Sequence, residues 1–238
     1  MAIPRFHCPQ EIPATGIFRL PAPVAHHAFR VLRLGKEEEI VLFDGKGWEF
    51  RCVVLDSASV EILEKIAMDR ESKLSVTLVQ ALAASEKMDW VVQKAVELGA
   101  KSIQIVETRR STVRLSGERA KRREGHWTNV AISACEQCGR NRIPEMLPIV
   151  PLEVWLPTPR QGKKLLLSPM GKSLRDFSQP DGEIFLLIGP EGGLAPEEEA
   201  LALSCGFEAM KLGPRILRTE TAGLAAISAL HALWGDFF

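Results

Sequence analysis

The 238-residue chain carries no net charge, since 30 lysines and arginines balance 30 aspartates and glutamates. Taken whole, that balance argues against a nucleic-acid partner, which usually calls for a basic excess. No apolar stretch reaches the ~18 residues of a membrane-spanning helix. The opening MAIPRFHCPQEIP has no apolar core of signal-peptide length, so a cytoplasmic protein is expected. Cysteine is scarce and odd in number (Cys8, Cys52, Cys135, Cys138 and Cys205), which excludes a paired disulfide framework. Cys135 and Cys138 form one C-x-x-C, but it lacks the second pair or nearby histidines of a zinc site. It also lies inside a helical run rather than at the helix start that redox pairs use. The histidines, His7, His26, His27, His126 and His231, show no ligand spacing, and no metal is expected. Neither G-x-x-x-x-G-K-[ST] nor G-x-G-x-x-G occurs, which removes the two commonest glycine signatures for phosphate.

What is present is an ordinary globular mixture, 46% hydrophobic and 25% charged, long enough for one large domain or two small ones. The charge is segregated along the chain: residues 1–72 net −2, residues 73–165 net +7 and residues 166–238 net −5. The densest basic run is Arg109–Arg123, with Arg109, Arg110, Arg114, Arg119, Lys121, Arg122 and Arg123 against the single carboxylate Glu118. Such a run serves either phosphate contact or a solvated helix face, and its density favours phosphate.

The first seventy residues read as a small β domain. Strands are expected at Ile17–Leu20, Glu39–Phe43, Trp48–Leu55 and Ser59–Ile66, with a helical run Val24–Leu34 closed by Gly35. Asp44-Gly45-Lys46-Gly47 is a hairpin turn, and the charged Met68–Lys73 is the linker. Beyond it, strands Leu74–Leu82, Ser102–Val106, Lys163–Leu167, Glu183–Ile188 and Ala209–Leu212 alternate with helices. The helix Glu86–Leu98 repeats Met88, Val91, Val92, Ala95 and Leu98 on one face. Arg119–Cys138 places Trp127, Val130, Ala131 and Ala134 together. A further helix starts at Pro196, and the last, Thr221–Trp234, is apolar almost all round, which requires a buried position in the core or a dimer interface. Alternating strands and helices define an α/β class with a largely parallel sheet.

Two loops follow the short C-terminal strands: Ile188-Gly189-Pro190-Glu191-Gly192-Gly193-Leu194, and Leu212-Gly213-Pro214-Arg215-Ile216-Leu217-Arg218-Thr219-Glu220-Thr221. In open α/β sheets ligands bind beyond the carboxyl ends of strands. Glycine, proline and aliphatic residues bind through backbone groups and apolar walls, unless these are ordinary turns. With no lysine beside the glycines, they suit an adenosine bearing a cationic centre better than a triphosphate. S-adenosylmethionine is such a ligand.

These strings, together with Pro4-Arg5-Phe6, His27…Val31-Leu32-Arg33, Lys87–Gly99, Arg110-Ser111 and Glu136-Gln137-Cys138-Gly139-Arg140, resemble the RsmE-type 16S ribosomal RNA (uracil-N3)-methyltransferases of the SPOUT superfamily. The likeness runs in order along nearly the whole chain. It departs where the family often has Ala-Ala-Glu-Gln and this chain has Ala134-Cys135-Glu136-Gln137. The resemblance implies a PUA-like β-barrel domain over 1–70 that binds RNA, and a SPOUT methyltransferase domain over 74–238 with a C-terminal trefoil knot. It implies a homodimer acting on 16S rRNA, within the small ribosomal subunit, with S-adenosylmethionine as cofactor.

The cofactor contacts it implies are Ser168, Met170, Leu187, Ile188, Gly189, Pro190, Glu191, Gly192, Leu212, Gly213, Ile216, Leu217, Thr221 and Ala222. Ser168-Pro169-Met170 would form a third loop, although a methionine there also suits plain core. Methylating N3 requires positioning, help with a weakly acidic proton and a donor for charge developing on a uracil oxygen. Arg218, Glu191 and Glu220 are the catalytic candidates. Arg218 serves the oxygen or else a phosphate, and Glu191 serves as base or else holds N–H groups of the next helix. RNA contacts fall to Arg109, Arg110, Arg114, Arg122, Arg123, Gln137 and Arg140, with Arg5, Arg30 and Arg33 from the first domain. A non-catalytic RNA-binding ribosome-assembly factor on the same fold is the alternative. It would be expected to lose GPEGG or LRTET, and both are intact.

Overall fold

Apolar and polar residues alternate through residues 39–67, and this segment folds as an antiparallel meander of β3 (Glu39–Phe43), β4 (Trp48–Val54) and β5 (Ser59–Ala67). The computed structural model describes residues 3–238. Two edge strands complete the sheet: β1 (Arg5–His7) runs parallel to β3, and β2 (Gly16–Arg19) pairs antiparallel with β5. The order is β1-β3-β4-β5-β2. The inward residues Phe6, Ile40, Leu42, Phe50, Cys52, Val54, Val60 and Ile62 form its core. The run expected as helix Val24–Leu34 starts as α1 (Ala22–His26) and then widens into a π-helical turn, His27–Val31.

The chain divides into two compact units. The first reaches Glu71 and also takes Ile132–Ile143; the second takes Ser72–Ala131 and Pro144–Phe238. Within the first, Glu49 accepts from Arg5 (2.9 Å), Arg70 (3.1 Å) and Asn141 (3.0 Å), and Arg140 pairs with Glu71. Glu136 accepts the His7 N–H at 3.0 Å, and burial pushes its carboxyl above the ordinary range. These bonds tie the distant segment 132–143 to the strands, because a buried carboxylate or guanidinium left unpaired would be costly.

The second unit is an all-parallel six-stranded sheet. In chain order it holds β6 (Ser75–Ala81), α2 (Ser85–Glu97), β7 (Ser102–Glu107), α3 (Gly117–Cys138, whose last turns belong to the first unit), β8 (Glu145–Pro151), α4 (Leu152–Trp155) and β9 (Lys163–Ser173). Then come β10 (Glu183–Ile188), α5 (Pro196–Ser204), β11 (Glu208–Lys211) and α6 (Thr219–Trp234). The strand order is β11-β9-β10-β6-β7-β8. The near-continuous apolar runs of β6, β7 and β10 are those of strands covered on both faces. Helix α6 buries Ala222, Gly223, Ala226, Ile227, Leu230 and His231, while Leu233 is half exposed. No helix among the described residues is long and apolar enough to cross a membrane.

Three strands, and the short helix α4, go beyond the sequence expectations. β1 is too short for periodicity to reveal. β8 contains Pro148 and breaks register against β7, as an edge strand can. β9 does not stop at Leu167. Its pairing with β11 jumps from Leu166 (opposite Ala209) to Lys172 (opposite Met210), so 167–171 bulges out of the ladder. Gly171 lies where a Cβ would overlap the backbone of Ala209 and Met210, so only glycine permits this approach.

Candidate functional site

The carboxyl ends of β9, β10 and β11 open into the two glycine-rich loops and the 167–171 bulge. Together they enclose a cavity of about 230 Å3. Its walls are largely aliphatic, with Leu166, Leu167, Pro169, Leu194, Leu212, Ile216 and Leu217. Its charged residues are Glu191, Glu199, Lys211 and Arg215.

Polar bonds, some buried and some at the surface, hold the first loop. Gln80, fully buried at the end of β6, donates to the Thr219 hydroxyl at 2.9 Å, and Thr219 donates to the Gly189 carbonyl at 2.6 Å. Arg110 donates to the carbonyls of Gly192 (2.9 Å) and Leu194 (3.2 Å). Glu198, buried at the start of α5, accepts from the N–H groups of Ala195 (2.9 Å) and Arg109 (2.8 Å), where a helix N-terminus favours a carboxylate. A Cβ at Gly189 would stand 3.1 Å from the Leu194 nitrogen, so any larger residue there would push the loop back by a few tenths of an ångström. The backbone is thus fixed before any ligand arrives, which lowers the ordering cost of binding.

Lys87, in the first turn of α2, donates to Glu191 at 2.9 Å and lies 3.5 Å from Glu220. Burial acts to raise the Glu191 pKa, but the Lys87 hydrogen bond and charge prevail and hold it below the usual carboxylate range. The same hydrogen bond raises Lys87 above its own. Arg218, just before α6, has an exposed side chain whose guanidinium makes no hydrogen bond or ion pair among the described residues.

Of the residues expected at a cofactor, Ser168, Gly189, Pro190, Glu191, Leu212, Gly213, Ile216 and Leu217 share this cavity. Leu187, Ile188 and Ala222 are buried outside its lining. Gly192, Thr221 and Met170 are exposed outside it, the last at 91%. Glu199, Lys211, Arg215, Thr219 and the anchors Lys87, Gln80 and Glu198 were not anticipated. Arg215 and Thr219 stand inside the quoted loop strings; Glu198 follows the first loop closely, Lys87 opens another quoted string, and Gln80 lies far off in sequence with no local signal.

The basic residues divide as well. Arg109 pairs with Glu197 at 3.3 Å, Arg110 holds the glycine loop, and Arg114 donates to the Arg109 carbonyl at 3.1 Å. Arg122 is exposed and Arg123 half-buried; Gln137, Arg30 and Arg33 are exposed. Arg5 and Arg140 are placed in the interior of the first unit, where each neutralises a carboxylate.

Fold and site define a parallel-sheet α/β protein with an aliphatic-walled cavity at the ends of its strands and a β unit besides. The model of the RNA methyltransferase domain matches residues 70–231, and that of the RNA methyltransferase PUA domain matches 20–63. A relative from Buchnera aphidicola (subspecies Schizaphis graminum) named ribosomal RNA small subunit methyltransferase E is 32% identical over 98% of both chains. The protein of that name from Bacillus subtilis is 31% identical over 93% of this chain and 92% of its own. The chain belongs to this RNA methyltransferase family. A Neisseria gonorrhoeae ribosomal RNA small subunit methyltransferase E bound to S-adenosyl methionine superposes with a TM-score of 0.93 at 42% identity, covering all of both chains. A Legionella pneumophila structure with the bound cofactor SAM gives 0.95 at 36%, again covering all of both.

Proposed function

We propose that this protein transfers a methyl group from S-adenosylmethionine to N3 of one uridine in 16S rRNA of the small ribosomal subunit, as a cytoplasmic homodimer. The observation that carries this reading is the cavity at the ends of β9, β10 and β11. It has aliphatic walls for an adenine, and acidic Glu191 and Glu199 beside the basic residues at its rim. That donor set fits a neutral base carrying a cationic centre. In this reading residues 1–70 are the PUA-like RNA-binding domain and 74–238 the methyltransferase domain. A C-terminal trefoil knot belongs to this reading through the family resemblance. A dimer interface is supported by the apolar α6 with its half-exposed Leu233.

When bound, S-adenosylmethionine supplies a methyl group on a cationic sulfur. Ser168, Gly189, Pro190, Glu191, Leu212, Gly213, Ile216 and Leu217, which line the cavity, would hold it, chiefly through backbone groups. The unpaired Arg218 guanidinium meets a uracil carbonyl oxygen as negative charge develops there, the form of assistance that usually contributes most. A carboxylate acidified by its lysine is a poor proton acceptor, so Glu191 anchors the loop; Glu220, farther from the same ammonium and with an oxygen that has no hydrogen-bond partner among the described residues, takes the N3 proton in this reading. The exposed Arg30, Arg33, Arg114, Arg122 and Gln137 and the half-buried Arg123 meet the RNA. Arg109 and Arg110 do so with whatever donors the loop leaves free, and Arg5 and Arg140 support the first unit's contacts from inside that unit.

Calorimetry should find one S-adenosylmethionine site per protomer. Nucleoside mapping by mass spectrometry of 16S rRNA should find one N3-methyluridine that disappears when the protein is removed. Arg218→Ala should lower methyl transfer by about 100-fold or more with cofactor affinity kept. Binding of a nucleoside triphosphate in place of S-adenosylmethionine would overturn the reading.

A further inference from the structure

The first unit has a cavity of its own, of about 650 Å3, that the chemistry above does not use. Its walls include His26, Phe29, Arg30, Leu34, Lys36 and Asp56. Four of these come from one irregular segment. After α1 the chain takes the π-helical turn His27–Val31, closed by the Leu32 N–H on the His27 carbonyl and the Leu34 N–H on the Ala28 carbonyl, both 3.0 Å. Then Arg33 (φ 58°) and Glu37 (φ 70°) adopt the left-handed conformation, while Gly35 between them does not. Side-chain-bearing residues in that conformation beside a glycine that does not adopt it mark a loop whose shape is held by its surroundings. That shape sets which side chains the loop presents, and π turns of this kind recur at functional sites. The loop is pinned by the Glu37 N–H on the Val54 carbonyl (2.9 Å) and the Val54 N–H on the Glu38 carbonyl (3.0 Å).

The chemistry of the walls narrows the ligand. Arg30 and Lys36 form no hydrogen bond or ion pair with any side chain among the described residues, whereas Arg5, Arg51 and Arg70 in the same unit are each paired with a glutamate. Two free cations call for an anion. Phe29 and Leu34 offer an apolar surface. Asp56 is anionic; its carboxylate accepts from the Ser59 hydroxyl (2.6 Å) and the N–H groups of Ala58 (2.8 Å) and Ser59 (2.9 Å). A bare phosphate would have no use for the apolar wall and would be repelled by Asp56. A fatty acid would have no donor for that carboxylate. A nucleotide has an anionic end, a flat apolar face and a base edge with N–H donors.

We propose that this cavity receives one unpaired nucleotide of the RNA, its base against Phe29 and Leu34 and its phosphate on Arg30 and Lys36. Single-stranded RNA is commonly held in this way, by stacking together with phosphate contact. The proposal rests on the RNA-modifying reading of the chain, but it concerns a different unit from the one that holds the cofactor cavity.

The test uses the full-length protein, a fluorescent single-stranded RNA 12-mer and a perfect duplex of the same sequence. The double variant Arg30→Gln/Lys36→Gln should lose about tenfold in affinity for the single strand and threefold or less for the duplex. Phe29→Leu keeps an apolar side chain in the core and should lose about fivefold for the single strand alone, at unchanged salt slope. Equal losses for the two RNAs would reduce the site to general charge attraction and overturn the proposal, as would unchanged single-strand affinity. S-adenosylmethionine binding by calorimetry should be the same in every variant. Its absence from the wild type would count against the methyltransferase reading, separately from the RNA comparison.

Discussion

The ammonium of Lys87 stands 2.9 Å from the carboxylate of Glu191. These residues lie on different elements, α2 and the loop after β10, and the same ammonium reaches Glu220 at the start of α6. One cation therefore holds both carboxylates, Glu191 on the cavity wall and Glu220 outside its lining. Lys87→Met should leave them facing each other. Methyl transfer is expected to fall about threefold to tenfold, a modest loss because the groups are partly solvated. Cofactor affinity should change by less than threefold. The sign in pH follows from the lowered Glu191 pKa. The pair's contribution is present above the ordinary carboxylate pKa of 4.5 and fades as pH falls through the lower folded value. The variant should lose that acid-side tolerance, which a pH profile of loop stability by hydrogen exchange would show. An unchanged rate and profile would remove Lys87 from the site.

Gly171 tests how tightly the bulge in β9 sits against β11. A methyl group there would overlap the Ala209 and Met210 backbone, which has nowhere to yield. Gly171→Ala should cost about 3 kcal/mol or more in denaturant unfolding and weaken S-adenosylmethionine binding. Gly182→Ala is the control. It has φ of +84° but open space around it, so about 1–2 kcal/mol is expected from the backbone alone. Equal costs would show that the bulge can relax.

The basic run separates into arginines engaged within the fold and arginines facing water. Arg122→Glu/Arg123→Glu should weaken RNA binding and flatten its dependence on salt by about one to two phosphate contacts. Arg110→Ala should instead act on the glycine loop, because its guanidinium holds the Gly192 and Leu194 carbonyls. It should lower cofactor affinity more than the RNA salt slope. The reverse pattern would sink this division.

Glu136 makes a pH prediction of opposite sign. Burial raises its pKa above the ordinary 4.5, so stability is highest below that value and declines as pH rises through the raised folded pKa. Glu136→Gln keeps an acceptor for the His7 N–H. Its thermal midpoint should be level with or above wild type at pH 7 and indistinguishable at pH 4. A lower midpoint at pH 7 would mean that the charge is needed.

Reactivity of the cysteines follows from placement rather than motif. Burial raises Cys52 and Cys135 to about 12, whereas Cys138 and Cys205 are partly exposed. Iodoacetamide at pH 8 should modify Cys138 and Cys205 first. Prompt labelling of Cys135 would contradict its burial in α3.

Where side-chain period and punctuation agree, sequence and structure coincide. Glu39–Phe43 and Glu183–Ile188 are strands to the residue, and α2 differs from its expected bounds by one residue at each end. The parallel sheet, the small β unit and the two glycine loops as neighbours of one cavity were all readable, because each depends on local backbone preference or on where strands must end. Departures arise where partners are distant. The π turn at His27–Val31, the continuation of β9 past Leu167 and the edge strand β8 answer to contacts, not to period.

By itself, then, the sequence determined the two-part composition, the α/β class, the uneven distribution of charge behind a net charge of zero, and the loop strings that mark an RNA methyltransferase. Only the tertiary structure decided which charges are free. Arg5, Arg140 and Arg110 read as surface cations beside Arg122 and Arg30, yet the first two are buried against carboxylates and the third holds loop carbonyls. Charge is a property of a residue, whereas its availability depends on partners many residues away, such as Glu49, Glu71 and Gly192. The desolvation cost of burying an ion makes that pairing obligatory once the fold brings the groups together.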